Sequence, residues 1–143
     1  VDRVKFNTLI PEKIFIGSET DAQDMVDIAK CDIIIDLRQE ASGPSFCSKS
    51  TVWKHIGLKD HISGQEELVK EAIQLVTDLY HQDHRIGIHC ASGVCRTATI
   101  AIGVLIELGI CKKMKEALEF VEMSRKQTAL HPSLKKTLQN LYK

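Results

Sequence analysis

Ile86-Gly87-Ile88-His89-Cys90-Ala91-Ser92-Gly93-Val94-Cys95-Arg96-Thr97 is the stretch that decides how this chain reads. The short apolar run 86–88 predicts a buried strand. Beyond Arg96 come Ala98, Ile100, Ala101, Ile102, Val104, Leu105 and Ile106, a good helix-forming run that is apolar nearly all round. The order is therefore strand, tight loop, helix N-terminus. In that arrangement loop N–H groups and the first helical turn converge on one spot, where the helix dipole favours negative charge. Arg96 is placed to grip two oxygens of an oxyanion with its planar fork. Cys90 lies at the mouth of the same positive field, which favours the nucleophilic thiolate. The competing reading is a core cysteine at a strand end, with Arg96 a chance residue at the helix start.

Outward from this stretch, Ile33-Ile34-Ile35 is a continuous β-branched run, the pattern of a strand buried on both faces. It leads into Asp36-Leu37-Arg38. A turn containing Leu9-Ile10-Pro11 precedes a short strand, Ile14-Phe15-Ile16-Gly17, and residues 52–58 form a further strand. Residues 21–30 predict a short helix capped by Asp21 or Thr20, with Met25, Ile28 and Ala29 on one face. Ser63-Gly64-Gln65-Glu66 has the form of a capping box opening a helix to about His81. Its apolar stripe is Leu68, Val69, Ala72, Ile73, Val76, Leu79 and Tyr80. Gly109 ends the helix after Arg96, residues 112–125 form another, and Pro132 starts the last, with Leu134, Leu138 and Leu141 inward. Strands alternating with helices imply one α/β domain over residues 1–143, with a mostly parallel sheet of about four to five strands flanked by about six helices. Ligands in such sheets sit beyond the carboxyl ends of the strands. Asp36, Asp60 and Cys90 each follow a strand run, which puts all three on one rim. The polar segment 39–50, with Gly43-Pro44 inside it, is a loop over that rim, either a plain connection or a shaper of substrate choice.

The composition narrows the function classes. With 143 residues, 43% of them hydrophobic, the chain can bury a real core. Formal net charge is zero, so bulk electrostatics call for neither nucleic acid nor an anionic membrane. The apolar stretch 98–110 is too short and interrupted to span a bilayer. Five cysteines without a Cys-x2-Cys pair, and no secretory leader pattern, lead to the expectation of a reducing cytoplasm. A monomer is expected. A zinc site from His89, Cys90 and Cys95 would be opposed by the charge of Arg96, so no metal and no cofactor is expected.

The spacing Cys90-x5-Arg96-Thr97, preceded by His89, resembles the signature loop of the cysteine-dependent protein tyrosine phosphatases, and the short chain resembles their dual-specificity branch. The Asp36-Leu37-Arg38 ending and the tail with Val121, Arg125, Pro132 and a final apolar helix are similar to the same family. The resemblance implies a dual-specificity phosphatase-like fold and a phosphatase acting on phosphotyrosine in proteins or peptides, with phosphoserine and phosphothreonine as further substrates. It implies a phosphocysteine on Cys90, with phosphate bound by Arg96 and the loop residues Ala91, Ser92, Gly93, Val94 and Cys95. It also implies Asp60, thirty residues before Cys90, as general acid and then base. Asp36 and Glu40 are rivals for that role, and Asp36 is also suited to a structural bond near Arg38. Thr97 would hydrogen-bond the Cys90 sulfur, His89 would brace the loop, and Gly93 would permit a strained turn or a close approach to phosphate. The chain departs from the branch at Cys95, where glycine or serine is usual. A cysteine at this point resembles the low-molecular-weight tyrosine phosphatases, and it suggests either a reversible Cys90–Cys95 disulfide for redox regulation or a small side chain that simply fits. Alternatives are a phosphoinositide or inositol phosphate phosphatase, an RNA 5′-triphosphatase, and a phosphate-binding module without turnover. Ala91, Ser92, Gly93 and Val94 supply none of the lysines common in lipid-directed loops.

Overall fold

Three apolar runs become three adjacent parallel strands, and they fix where everything else can go. The computed structural model describes residues 5–142. Its strands are β1 (Asn7–Ile10), β2 (Ile14–Gly17), β3 (Ile33–Arg38), β4 (Val52–Leu58) and β5 (Ile86–His89), in the sheet order β1-β2-β5-β3-β4. Only β1 runs antiparallel, in a hairpin with β2. In the parallel part, Ile86 lies level with Ile14 on one side and Ile33 on the other. The whole of β3 and β5 is buried, as expected of strands covered on both faces.

Side-chain alternation divides this sheet into two cores. Ile14, Ile16, Ile33, Ile35, Ile86 and Ile88 point to one face. There they meet α2 (Glu66–His81), α3 (Arg96–Glu107), α4 (Met114–Ser124) and α5 (Pro132–Leu141). Phe15 and Ile34 point the other way, onto Ala22 and Met25 of the short helix α1 (Ala22–Asp27) and onto Phe46 of the loop 39–50. Helix α3 is the inner helix, with ten of its twelve residues buried. Each fully buried Ile along it contributes roughly 1.5–3 kcal/mol of burial free energy. Gly109, at φ 74°, takes the left-handed position just past its end.

Four sequence expectations change. The described residues contain five α-helices and one 3-10 turn (Glu19–Asp21) rather than about six helices. The turn around Leu9 is a full strand, β1, because it pairs with β2. Ser63 caps nothing: α2 starts at Glu66, and the Gln65 side chain instead ties the preceding loop together through Lys59 N, Lys59 O and Ile62 O. Leu68, placed in the apolar stripe of α2, is 40% exposed. No helix among the described residues is long and apolar enough to cross a membrane.

Candidate active site

The loop between β5 and α3 is shaped from outside by donors that take its carbonyls. The Cys90 carbonyl accepts from His89 Nδ1 at 3.0 Å, and the Ala91 carbonyl from the Glu19 N–H at 3.0 Å. Arg125 donates to the Ser92 carbonyl (3.1 Å) and the Gly93 carbonyl (2.8 Å), and the Ala129 N–H to that of Val94 (3.3 Å). In a trans peptide the N–H points opposite to its carbonyl. With all five carbonyls of residues 90–94 turned to the scaffold, the N–H groups of Ala91, Ser92, Gly93, Val94 and Cys95 face into the loop. The result is a nest of donors at the start of α3, which suits an anion. Gly93 is required here twice over: its φ is 72°, and a Cβ would run into the Gly17 carbonyl.

Cys90 and Arg96 are each 2% exposed. Thr97 Oγ1 donates to Cys90 Sγ at 3.1 Å. The Arg96 guanidinium is not turned out to solvent. Glu40 grips its outer edge, with Nη1 and Nη2 at 2.8 and 2.9 Å from the two carboxylate oxygens, and Nη1 also donates to the Leu58 carbonyl at 3.0 Å. Burial would lower the pKa of Arg96, but the Glu40 carboxylate and the neighbouring acidic groups more than offset it, so the guanidinium is held charged. Its other edge is open: Nε is buried with no hydrogen-bond partner and lies 3.9 Å from Asp60 Oδ1.

The three carboxylates separate by environment. Asp36 lies within β3 rather than beyond it, fully buried. It accepts from Arg38 Nε (2.9 Å), Arg38 Nη2 (2.7 Å) and Trp53 Nε1 (3.0 Å). Burial pushes its pKa up, but the Arg38 bonds and the nearby His89 win, and the net shift is downward. It is a structural group with no free lone pair toward the loop. Glu40, from the loop 39–50, is tied to Arg96, whose hydrogen bonds bring its pKa down to about 2. Asp60, two residues past β4, keeps a side chain 46% exposed beside the Arg96 fork. His89 is fully buried, and desolvation lowers its pKa, so the neutral ring donates from Nδ1 and braces the loop. Cys95 is also buried, and its sulfur accepts from the His131 N–H at 3.3 Å. Burial raises its pKa, partly opposed by that N–H. All five cysteines are free thiols.

Sequence reasoning missed Arg125 as the brace of the loop. This 3% exposed side chain also donates to Asn7 Oδ1 at 2.8 Å, from a helix end far away in sequence. Only its place in the C-terminal pattern hinted at it. Asp21 stands at the N-cap position of α1, as expected, but its side chain makes no cap bond there. Its carboxylate accepts from the Ser18 N–H at 2.9 Å and faces Arg125 at 3.9 Å, so it supports the same brace.

The human "Dual specificity protein phosphatase 9" is 25% identical over 134 residues, covering 92% of this chain and 34% of the relative. The human "Dual specificity protein phosphatase 1" is 28% identical over 115 residues, covering 78% of this chain and 30% of the relative. The chain thus spans about a third of the length of these curated relatives. A mouse putative dual specificity phosphatase, crystallised with zinc tungstate, superposes with a TM-score of 0.86 at 14% identity, covering 99% of this chain and 89% of that one. PTPMT1 in complex with PI(5)P gives 0.79 at 15% identity, covering 95% and 93%. These two likenesses establish the fold. The family model "Dual specificity phosphatase, catalytic domain" matches residues 14–143, and the chain belongs to that family.

Proposed function

We propose that this chain is a cysteine-dependent phosphomonoesterase acting on phosphotyrosine in proteins or peptides, with phosphoserine and phosphothreonine as slower substrates. The observation that carries the reading is the pairing of Cys90 and Arg96 in one buried cradle, with Thr97 donating to the Cys90 sulfur. Phosphate oxygens would take the inward N–H groups of the loop and the open Nε edge of Arg96, a buried donor that otherwise lacks an acceptor. These donors act most strongly on the charge of the transition state. The Cys90 thiolate attacks phosphorus in line, the S–P bond forms as the P–O bond to the leaving group breaks, and Asp60 protonates the departing oxygen. In the second half-reaction Asp60 takes a proton from water, whose oxygen attacks phosphorus while sulfur leaves. The Thr97 hydroxyl stabilises that leaving thiolate. Aryl esters react fastest because phenoxide is the better leaving group.

The phosphoinositide reading draws on the PTPMT1 likeness, which speaks of fold alone. The absence of basic residues at Ala91, Ser92, Gly93 and Val94 favours protein substrates. The test is turnover of para-nitrophenyl phosphate by the wild type and a Cys90→Ser variant, followed by catalytic efficiencies on phosphopeptides and phosphoinositides. Cysteine-dependent turnover with a phosphopeptide preference supports the reading. Phosphate binding without turnover would instead make the chain a binding module.

A further inference from the structure

We propose that Asp60, His61 and Cys95 form a coordination site for a single zinc-type divalent cation at the lip of the loop. The carboxylate oxygen, the imidazole nitrogen and the sulfur lie within 4.8 Å of one another. His61 Nε2 and Asp60 Oδ1 are already 3.6 Å apart. A tetrahedral ion with metal–ligand bonds of about 2.1 Å needs ligand atoms about 3.4 Å apart, so this edge is nearly formed. The remaining closure is within reach of the two exposed side chains, His61 at 57% and Asp60 at 46%. An oxygen, a nitrogen and a sulfur donor together match the ligand preferences of zinc, and three protein ligands leave a fourth position for water.

The surroundings hold two of the three ligands in place. His131 stacks on the His61 ring, with centroids 4.1 Å apart and planes 14° from parallel. The backbone N–H of the same His131 points at Cys95 Sγ, and an N–H donated to a coordinating sulfur supports its thiolate form. The His131 ring is itself fixed, its Nδ1 accepting from the Ser133 N–H at 3.2 Å. His61 adopts a left-handed backbone, φ 58°, unusual for a residue other than glycine.

Charge also balances. Arg96, the objection to a zinc site built on Cys90, is paired by Glu40 on one edge, and its Nε edge, 3.9 Å from Asp60 Oδ1, is a positive group that faces the ligand set. As the ion binds, the Cys95 thiol releases its proton to solvent, and two negative ligands offset the two positive charges while His61 stays neutral. The set differs from His89, Cys90 and Cys95, because His89 is buried with Nδ1 directed at the Cys90 carbonyl. Coordination would draw Asp60 away from a leaving group, so the ion would inhibit; that consequence alone rests on the acid role proposed for Asp60.

The test is binding of zinc ion to the intact chain, read by competition with a chromophoric zinc indicator, so its outcome does not depend on turnover. The expected result is one zinc per chain. Affinity should fall about tenfold or more in His61→Ala and in Cys95→Ser, and stay unchanged in Cys90→Ser. Cobalt in its place should show a thiolate charge-transfer band that survives Cys90→Ser and disappears in Cys95→Ser. Should buried Cys95→Ser fail to fold, His61→Ala at an exposed position still decides. Wild-type affinity in His61→Ala, or loss of the metal in Cys90→Ser, would overturn the site.

Discussion

Asp36 and Asp60 are the same residue type near the same rim of the sheet, yet they sit in opposite environments. Asp36 is sealed under the sheet end, answered by Arg38 and Trp53, with His89 Nε2 at 3.8 Å. Asp60 stands in solvent contact, held only by its distance to Arg96 and His61. A buried, saturated carboxylate positions its neighbours, whereas a loosely held one can exchange a proton. The difference separates the floor of the site, which is saturated with structural bonds, from its mouth, where the proposed chemistry would fall.

Substitutions should therefore divide into those that cost stability and those that cost rate. The largest effect on folding is expected from Asp36→Ala, which leaves the buried Arg38 guanidinium with only its longer contacts to Glu19 Oε2 (3.4 Å) and the Gly43 carbonyl (3.3 Å). Removing one half of such a pair costs about 3–5 kcal/mol, read as a lowered denaturant midpoint. A variant as stable as the wild type would erase the distinction between floor and mouth. At the mouth, Arg96→Lys should lower kcat/KM by about 10²–10³, since an ammonium cannot reproduce the planar fork. Asp60→Asn should cost about 10²-fold or more on alkyl phosphates and much less on para-nitrophenyl phosphate, whose leaving group needs little protonation. Its stability should stay within about 0.5 kcal/mol, because the side chain is exposed. An unchanged alkyl-ester rate would move the acid elsewhere.

The smallest effect concerns Glu40, at the boundary between the two regions. Its pKa is depressed from 4.5 to about 2 by Arg96. A depressed carboxylate contributes stability above its unfolded pKa and loses it as pH falls through the folded one. Wild-type stability should thus decline between about pH 4.5 and 2 more steeply than that of Glu40→Gln. Glu40 is more than half exposed, so screening keeps the difference small. Parallel pH curves would mean that the pair contributes nothing.

This division also marks what the sequence could reveal. Strand β3 was legible because the unbroken β-branched run Ile33-Ile34-Ile35 leaves few alternatives, and β5 and its loop because the short apolar run 86–88 leads straight into chemistry held within twelve consecutive residues, Ile86 to Thr97. Contacts spanning long separations were not. Arg125 reaches Gly93 across 32 positions and Glu40 reaches Arg96 across 56, and no local pattern encodes either. The expected capping box at Ser63 is absent because α2 starts at Glu66 with Gln65 at its N-cap, and the Gln65 side chain bonds the loop before it. Asp36 does bond Arg38, but its other donor, Trp53 Nε1, comes from the next strand, outside any local pattern.

The most direct test of the account is to trap the phosphoryl group on sulfur. Asp60→Asn protein, mixed with a radiolabelled aryl phosphate and quenched in acid, should form the S–P bond faster than it hydrolyses it. The account predicts up to one label per chain, mapped by peptide mass to Cys90. Label on another residue, or steady turnover with no covalent label at any time, would contradict it.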